Sequence, residues 1–200
     1  KVFISPNYAG VPAAADNGGI RRVVEAEIRH LPEFGVTPVS SLAETDVIQN
    51  HGSMMTSRPG VPIVHTGHGL YWSRQPWGAN FQQVNSEVVE SMCRAVAHTV
   101  PSRWVDVAVR RGGLFYPEVV YHGVDIDEFE PSKTRGDYVL WNKARADYVS
   151  DPQDMQKVAE LLPDVLFSST IGRPMENVRV LGLLPHADMK QAVARAGVYL

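Results

Sequence analysis

Residues 1–35 have the sequence KVFISPNYAGVPAAADNGGIRRVVEAEIRHLPEFG, and this stretch decides the fold class. Its first apolar run, Val2 to Ile4, is typical of a buried strand, and the loop after it is rich in Pro, Ala, Gly and Asn. After Gly18 and Gly19, apolar residues recur every three or four positions up to Leu31, which predicts an amphipathic helix. A strand, a loop and a helix in this order form the repeating unit of α/β proteins.

Strand and helix patterns alternate along the rest of the chain. Short apolar runs predict further strands at residues 36–39, 46–49, 61–65, 98–100, 119–121, 138–141, 165–168, 178–181 and 198–200. Helical spacing predicts helices at residues 83–97, 103–111, 152–162 and 186–196, with Ser102 as an N-cap. The alternation favours parallel sheets covered by helices, with ligands beyond the carboxyl ends of the strands.

One polar stretch, residues 127–137, interrupts this alternation and is the best candidate for a linker. It divides the chain into a first domain of residues 1–126 and a second of residues 138–200. The second domain has room for only part of a complete α/β fold, so we expect it to be partial.

The composition excludes several classes of protein. The 200 residues are 44% hydrophobic and 20% charged with a net charge of −3, so no general nucleic-acid or anionic-membrane surface is expected. No apolar run approaches the roughly 18 residues of a membrane span, and the first residues are too strand-like for a signal peptide. The single cysteine, Cys93, excludes an intramolecular disulfide and a cysteine-based zinc site, and we expect a cytoplasmic protein.

Several motifs resemble one enzyme family. Residues 120–131, VYHGVDIDEFEP, resemble the hinge of retaining nucleotide-sugar glycosyltransferases of the GT-B fold, especially family four. Further similarities follow in the family's order: Gly18-Gly19, PIVHTGHG at residues 62–69, VPS at residues 100–102, and NVRVLG with LPHADM at residues 177–189. The resemblance implies two Rossmann-like domains, the first complete and the second partial, in an α/β protein.

The resemblance also implies where the donor is held. In the family, a Gly-Arg pair and a later Lys grip the donor diphosphate, whereas this chain has WNKAR at residues 141–145, which makes Lys143 and Arg145 the candidates. The family's paired-glutamate donor signature would lie beyond Leu200. We therefore expect a fragment or a short relative, with little or no transferase turnover by the isolated chain.

Two glycines are further donor candidates. The family works without a metal or a cofactor other than the nucleotide-sugar substrate, using backbone amides, helix N-termini and basic side chains to neutralise the leaving diphosphate. Gly18 and Gly19 would let the loop approach the donor while the next helix presents its positive end. The alternative is an ordinary Gly-rich loop that begins a helix.

His68 is the catalytic candidate, because it follows a predicted strand where the family carries an active-site histidine near the transferred sugar. A neutral imidazole there would hydrogen-bond the sugar and stabilise developing charge. The alternative is a structural histidine, which we expect of His65 inside the strand. His51, His65 and His68 would also suggest a metal cluster, but no carboxylate stands at a ligand spacing from them, so no metal is predicted.

The acceptor candidates are Tyr71, Trp72 and Arg74, since exposed aromatic rings suit a sugar or a lipid-linked ring. Alternatively, aromatic side chains pin this loop to the core. Asp125 is expected to fix the hinge turn.

Three functions follow from these residues. The first is retaining sugar transfer from a nucleotide-sugar to an acceptor. The second is a non-catalytic sugar- or partner-binding module that covers its partial sheet by forming a homodimer. The third, a nucleotide-sugar epimerase, needs acid and base groups that the sequence does not identify.

Overall fold

The computed structural model describes residues 1–9, 18–70, 80–112, 115–143, 146 and 150–200. The chain forms two compact units, Lys1–His122 and Gly123–Leu200. The division falls inside the hinge-like motif, after His122, and the polar stretch 127–137 belongs to the second unit.

The first unit is built on a five-stranded parallel sheet in the order β1-β2-β3-β4-β5. Its elements in the described part of the chain are β1 (Val2–Ser5), α1 (Gly19–His30), β2 (Val47–His51), β3 (Ile63–Thr66), α2 (Phe81–Arg94), β4 (Ala97–Val100), α3 (Arg103–Arg111) and β5 (Glu118–Val119). Two short 3₁₀ turns, Leu31–Phe34 and Leu42–Glu44, precede β2. Ser102 caps α3 as predicted, since its hydroxyl accepts a hydrogen bond from the Val105 amide.

The strands are apolar because helices cover the sheet. All four residues of β1 are buried, without the alternation of a strand that has one solvated face. Val24 of α1 packs with Val2 and Ile4. A second cluster joins α2, β4 and α3 through Val88, Met92, Val100, Val105 and Val109. Burying these side chains supplies the main favourable contribution to folding.

The predicted strand at residues 36–39 is wrong. Only Pro38 pairs with β1, as an isolated parallel bridge to Val2, flanked by hydrogen bonds from the Val2 amide to Thr37 and from the Val39 amide to Val2, both 2.9 Å. The Val36 amide bonds to the Leu31 carbonyl on one side of this bridge, and the 3₁₀ turn that Ser41 caps begins on the other, so only one bridge fits between them. The bridge nevertheless puts this segment beside β1, on the side away from β2. The chain therefore reverses its direction across the sheet at β1 and β2, which creates a topological switch point.

The second unit contains a four-stranded parallel sheet in the order β8-β7-β6-β9. Its elements are β6 (Tyr138–Trp141), α4 (Pro152–Leu161), β7 (Leu166–Ser169), β8 (Val178–Val180), α5 (His186–Arg195) and β9 (Val198–Tyr199). Its core joins Trp141, Met155, Ala159, Phe167 and Val178. In chain order these strands lie 3-2-1-4, as the first four strands of a Rossmann domain do, so the predicted α/β, Rossmann-like class is confirmed.

No helix in the described parts of the chain combines the length and the apolar character needed to cross a membrane.

Candidate functional site

The carboxyl ends of β1, β2 and β3 bring polar side chains of the first unit together. The register pairs Ser5 of β1 with Asn50 of β2, and His51 of β2 with Thr66 of β3. His68 follows β3 by two residues. Because parallel strands all end at the same edge, this cluster lies at the β1–β2 switch point, where open α/β sheets bind ligands.

A chain of hydrogen bonds links this edge to α1. Nδ1 of His51 lies 3.0 Å from Nε2 of His68, and Nε2 of His51 lies 3.0 Å from Oε2 of Glu27. The second Glu27 oxygen accepts a 3.0 Å hydrogen bond from the Gln49 amide, which also donates to the Thr66 hydroxyl at 3.1 Å. The His51 side chain is fully buried, and each of its two ring nitrogens has a hydrogen-bond partner.

Helix geometry explains the position of Glu27. Val24 is completely buried against β1, and Glu27 comes three residues later, nearly one turn along the same face of α1. A carboxylate on the core-facing side of a helix requires hydrogen-bond donors, and His51 and Gln49 supply them.

His68 is held as a neutral imidazole. Its burial, together with the neighbouring His51, His122 and His65, lowers the pKa of His68 to about 4. The ring of His122 lies 5.5 Å from the His68 ring, centroid to centroid. Nδ1 of His68 has no hydrogen-bond partner among the described residues and is accessible to solvent. It is therefore the open end of the hydrogen-bonded row that runs from Glu27 through His51.

His65 has a different environment. Its side chain is fully buried, and its Nε2 donates to the Gly52 carbonyl at 2.9 Å. Burial lowers the pKa of His65 to about 4, and its buried Nδ1 has no partner in the described part of the chain. The structure therefore places His65 in the core and His68 at the edge.

Sequence reasoning missed Glu27 altogether and considered His51 only as a metal ligand. The available signal was the spacing: Glu27 lies three residues after Val24 and seven after Ile20, which is the apolar face of α1. No group of three or more His, Cys, Asp or Glu side chains within the described ranges is arranged to hold a metal ion.

The two glycine candidates begin α1. Gly18 is the N-cap in an extended conformation, without a side-chain cap, and Gly19 is the first helical residue. A Cβ atom built on Gly19 meets no described atom within 4 Å, and its φ is not positive. Neither the backbone nor the described packing therefore requires glycine at position 19.

Lys143 lies at the equivalent edge of the second unit. It follows β6, next to β9, where the order of the second sheet reverses. The hydroxyl of the buried Thr170 accepts a hydrogen bond from the Lys143 amide at 2.9 Å and donates to the Lys143 carbonyl at 2.6 Å. This pair of bonds fixes the backbone from which the Lys143 side chain extends.

The other candidates, Arg145, Tyr71, Trp72 and Arg74, lie outside the described residues.

The hinge-like motif forms a local turn in the second unit. The Asp125 carboxylate accepts hydrogen bonds from the amides of Asp127 and Glu128, at 3.0 and 3.2 Å. Glu128 in turn binds Lys190 of α5 at 3.1 Å, which lowers the pKa of the Glu128 carboxyl group. Asp125 thus fixes the turn, and Glu128 attaches the motif to α5.

The NVRVLG motif contributes a helix cap. The Asn177 amide donates to the carbonyls of Ala159, Leu162 and Val165, at 3.0, 3.0 and 3.1 Å. Because the Ala159 and Leu162 carbonyls also accept from the Leu162 and Val165 amides, the Asn177 side chain adds a second set of bonds that ties the end of α4 to its following turn.

Two depressions also lie in the second unit. One, of about 640 Å³, runs along β7, β8 and α5, and the other, of about 680 Å³, lies between residues 127–135 and α5. Lys143 lines neither of them.

No protein-family model matches the chain. No curated protein matches it either. Among solved structures, it is similar to S. aureus MnaA in a co-structure with UDP, with 15% identity and a TM-score of 0.48 over 92% of this chain and 59% of the other. A putative UDP-N-acetylglucosamine 2-epimerase from Listeria monocytogenes has 11% identity and a TM-score of 0.42, covering 90% and 55%.

A third similar structure is the UDP-GlcNAc 2-epimerase from Methanocaldococcus jannaschii, with 10% identity and a TM-score of 0.44, covering 88% of this chain and 58% of the other. The chain thus spans less than two thirds of each of these proteins. Sequence identities and TM-scores this low assign no activity to the chain.

Proposed function

We propose that this chain belongs to a metal-independent enzyme that transfers a sugar from a nucleotide-sugar to an acceptor with retention of configuration. The observation that carries the proposal is the position of His68 at the β1–β2 switch-point edge, with Nδ1 open and Nε2 bonded to the buried His51. A neutral imidazole held in one orientation can hydrogen-bond a sugar hydroxyl and stabilise charge that develops on the sugar.

Gly18 and Gly19 are proposed to bind the donor phosphates. The helix N-terminus that they open carries partial positive charge and lacks a side-chain cap. A side chain at position 19 would meet no described neighbour, so packing does not explain the glycine. Instead, we assign to Gly19 the role of letting a ligand approach the backbone closely.

Lys143 and Arg145 are proposed as the donor-phosphate ligands of the second unit. The backbone of Lys143 is fixed by Thr170 at the β6–β9 switch point, where a lysine can neutralise a leaving diphosphate. By the family resemblance, Tyr71, Trp72 and Arg74 are proposed to contact the acceptor.

Epimerisation of a nucleotide-sugar is the second candidate, because the structure supplies the proton-carrying groups that the sequence did not identify. The Glu27–His51–His68 chain ends at an open ring nitrogen, which is suited to moving a proton on or off a bound sugar. Epimerisation leaves the sugar attached to its nucleotide, whereas transfer releases a nucleoside diphosphate.

Nuclear magnetic resonance tests the site and separates the two reactions. We would titrate the ¹⁵N-labelled chain with UDP-, GDP- and ADP-sugars that carry ¹³C in the sugar. The expected result is that one nucleotide class shifts the amides of Gly19 and Lys143 and the ring of His68, with His68→Gln weakening the shifts. Perturbations confined to other surfaces would contradict the proposed site.

The ¹³C signals of the same samples report any slow reaction. A free nucleoside diphosphate with the sugar released or transferred indicates transfer chemistry, whereas a new nucleotide-linked sugar indicates epimerisation. Binding of a free sugar without its nucleotide, accompanied by dimer formation, would instead favour the non-catalytic binding module.

A further inference from the structure

The Glu27–His51–His68 chain, which we call the histidine chain, has one closed end and one open end. Its closed end is the Glu27 carboxylate, which also binds Gln49, and its middle is the fully buried His51. Its open end is Nδ1 of His68. Such a row of groups joins the site edge to a negative charge on α1.

Hydrogen-bond roles along the row follow from chemistry. A carboxylate only accepts, so Nε2 of His51 carries a proton and donates to Glu27. A neutral His51 then has a lone pair on Nδ1, which requires Nε2 of His68 to be the donor across the 3.0 Å contact. A neutral His68 that is protonated on Nε2 presents the lone pair of Nδ1 at the site edge.

We propose that the histidine chain is a proton relay, in which Nδ1 of His68 takes a proton from a hydroxyl of a bound sugar and the positive charge moves to His51 beside Glu27. The proposal rests on the proposed function for the nature of the bound molecule. His68 is the catalytic residue in this scheme, while His51 and Glu27 are positioning residues that act through it.

The transfer balances without any further reactant. The sugar O–H bond breaks as an N–H bond forms at Nδ1 of His68, and the oxygen keeps the electron pair. The proton on Nε2 of His68 then moves to Nδ1 of His51, which leaves His68 neutral and His51 a cation hydrogen-bonded to the Glu27 carboxylate. The reverse movements return the proton to the sugar oxygen and restore the starting state.

The surroundings of the two rings differ. Burial and the surrounding histidines lower the pKa of His68 to about 4, so a cation on that ring is unfavourable. His51, by contrast, has a carboxylate oxygen 3.0 Å from its Nε2. Among the described residues, the titratable groups facing the pair are Glu27 from α1, His65 from β3, and His122 after β5.

The test uses the chain alone, labelled with ¹⁵N in its histidine rings, so it is independent of nucleotide-sugar binding. We expect a scalar coupling across the hydrogen bond between Nδ1 of His51 and Nε2 of His68. On lowering the pH, the two rings should take up their first proton as one unit, with the cation spectrum on His51. Independent titration of two uncoupled rings would overturn the relay.

Glu27→Gln removes the negative charge beside His51 but keeps the hydrogen bond, because the glutamine oxygen can still accept from Nε2 of His51. The relay predicts that the tautomers persist while the proton affinity of the pair falls about tenfold, equivalent to one pH unit. A Glu27 carboxyl group that carries no negative charge beside His51 predicts unchanged affinity.

Glu25→Gln is the matched control on the same helix, since Glu25 binds Arg21 and Arg22 at 2.7 and 3.0 Å and contacts neither ring. It should leave the affinity within about twofold of the parent. Equal shifts in both variants, or no shift in Glu27→Gln, would overturn the proposal. Loss of nucleotide-sugar binding with the coupled titration intact would count against the proposed function alone.

Discussion

At the scale of single residues, a substitution at Gly19 distinguishes an effect on ligand binding from an effect on stability. Gly19→Ala should keep or raise the free energy of unfolding, by at most about 1 kcal/mol, because alanine favours a helix and its Cβ meets no described atom within 4 Å. It should weaken nucleotide-sugar binding if the loop lies against the donor. Urea unfolding and donor titration measure the two effects.

Gly197→Ala provides the contrast for that experiment. Its Cβ would lie 2.6 Å from the Gly136 carbonyl oxygen, so the substitution should destabilise the second unit. A Gly19→Ala variant that binds donors as tightly as the parent would remove Gly19 from the proposed site.

His65 makes stability depend on pH. Its pKa falls from 6.5 to about 4 in the folded chain, so between these values the unfolded state binds more protons and stability rises with pH. The contribution of the neutral, buried His65 to the free energy of unfolding is fully present above about pH 6.5. It is lost as the pH falls toward 4, by up to about 1.4 kcal/mol per pH unit.

The comparison variant is His65→Gln, whose amide can still donate to the Gly52 carbonyl. Urea unfolding at several pH values across this window should give a shallower pH dependence for the variant than for the parent. Parallel pH profiles would show that His65 is not a source of the effect.

At the scale of elements, the loop after β6 depends on one hydroxyl group. Thr170→Val keeps the shape of the side chain but removes both hydrogen bonds to the Lys143 backbone. We expect a loss of about 1–2 kcal/mol in the free energy of unfolding, because an amide and a carbonyl lose their partner. Chemical denaturation measures this loss, and donor titration shows whether Lys143 needs a fixed backbone to bind.

The neighbouring Ser169→Ala is the matched control in β7. The Ser169 hydroxyl is buried without a partner in the described part of the chain, so its removal should be neutral or stabilising. Equal losses in the two variants would indicate that β7 responds to packing rather than to the Lys143 bonds.

The end of α4 depends on Asn177 in the same way. Asn177→Asp replaces a donor to three backbone carbonyls with a carboxylate that only accepts. The expected loss is about 2 kcal/mol or more, measured by thermal or urea unfolding, since buried acceptors would face a negative charge. Asn177→Ala should cost less, because it removes the donor without adding the charge.

At the scale of the whole molecule, hydrophobic periodicity predicted the class and most elements. Apolar runs such as residues 138–141 became strands because helices cover the sheets, and β6 matches its predicted bounds. The prediction failed at residues 36–39, where the turns on either side leave room for one bridge. Strand order was not predictable either, since it depends on contacts between distant residues such as Val2 and Val47.

The candidate site was predicted less completely than the fold. The position of His68 after a strand was visible in the sequence, but its partner His51 lies 17 positions away, and Glu27, which bonds to His51, lies 41 positions away. Local pattern cannot show that Glu27 reaches across from α1 to His51. The hydrogen-bonded chain therefore emerged only from the fold.

Ligand-induced thermal stabilisation reports directly on nucleotide-sugar binding. We would measure the unfolding of the chain with a panel of UDP-, GDP- and ADP-sugars at increasing concentration. We expect stabilisation by one nucleotide class, reaching about 2.7 kcal/mol at one hundred times the dissociation constant. A folded sample that no donor stabilises, up to millimolar concentration, would contradict it.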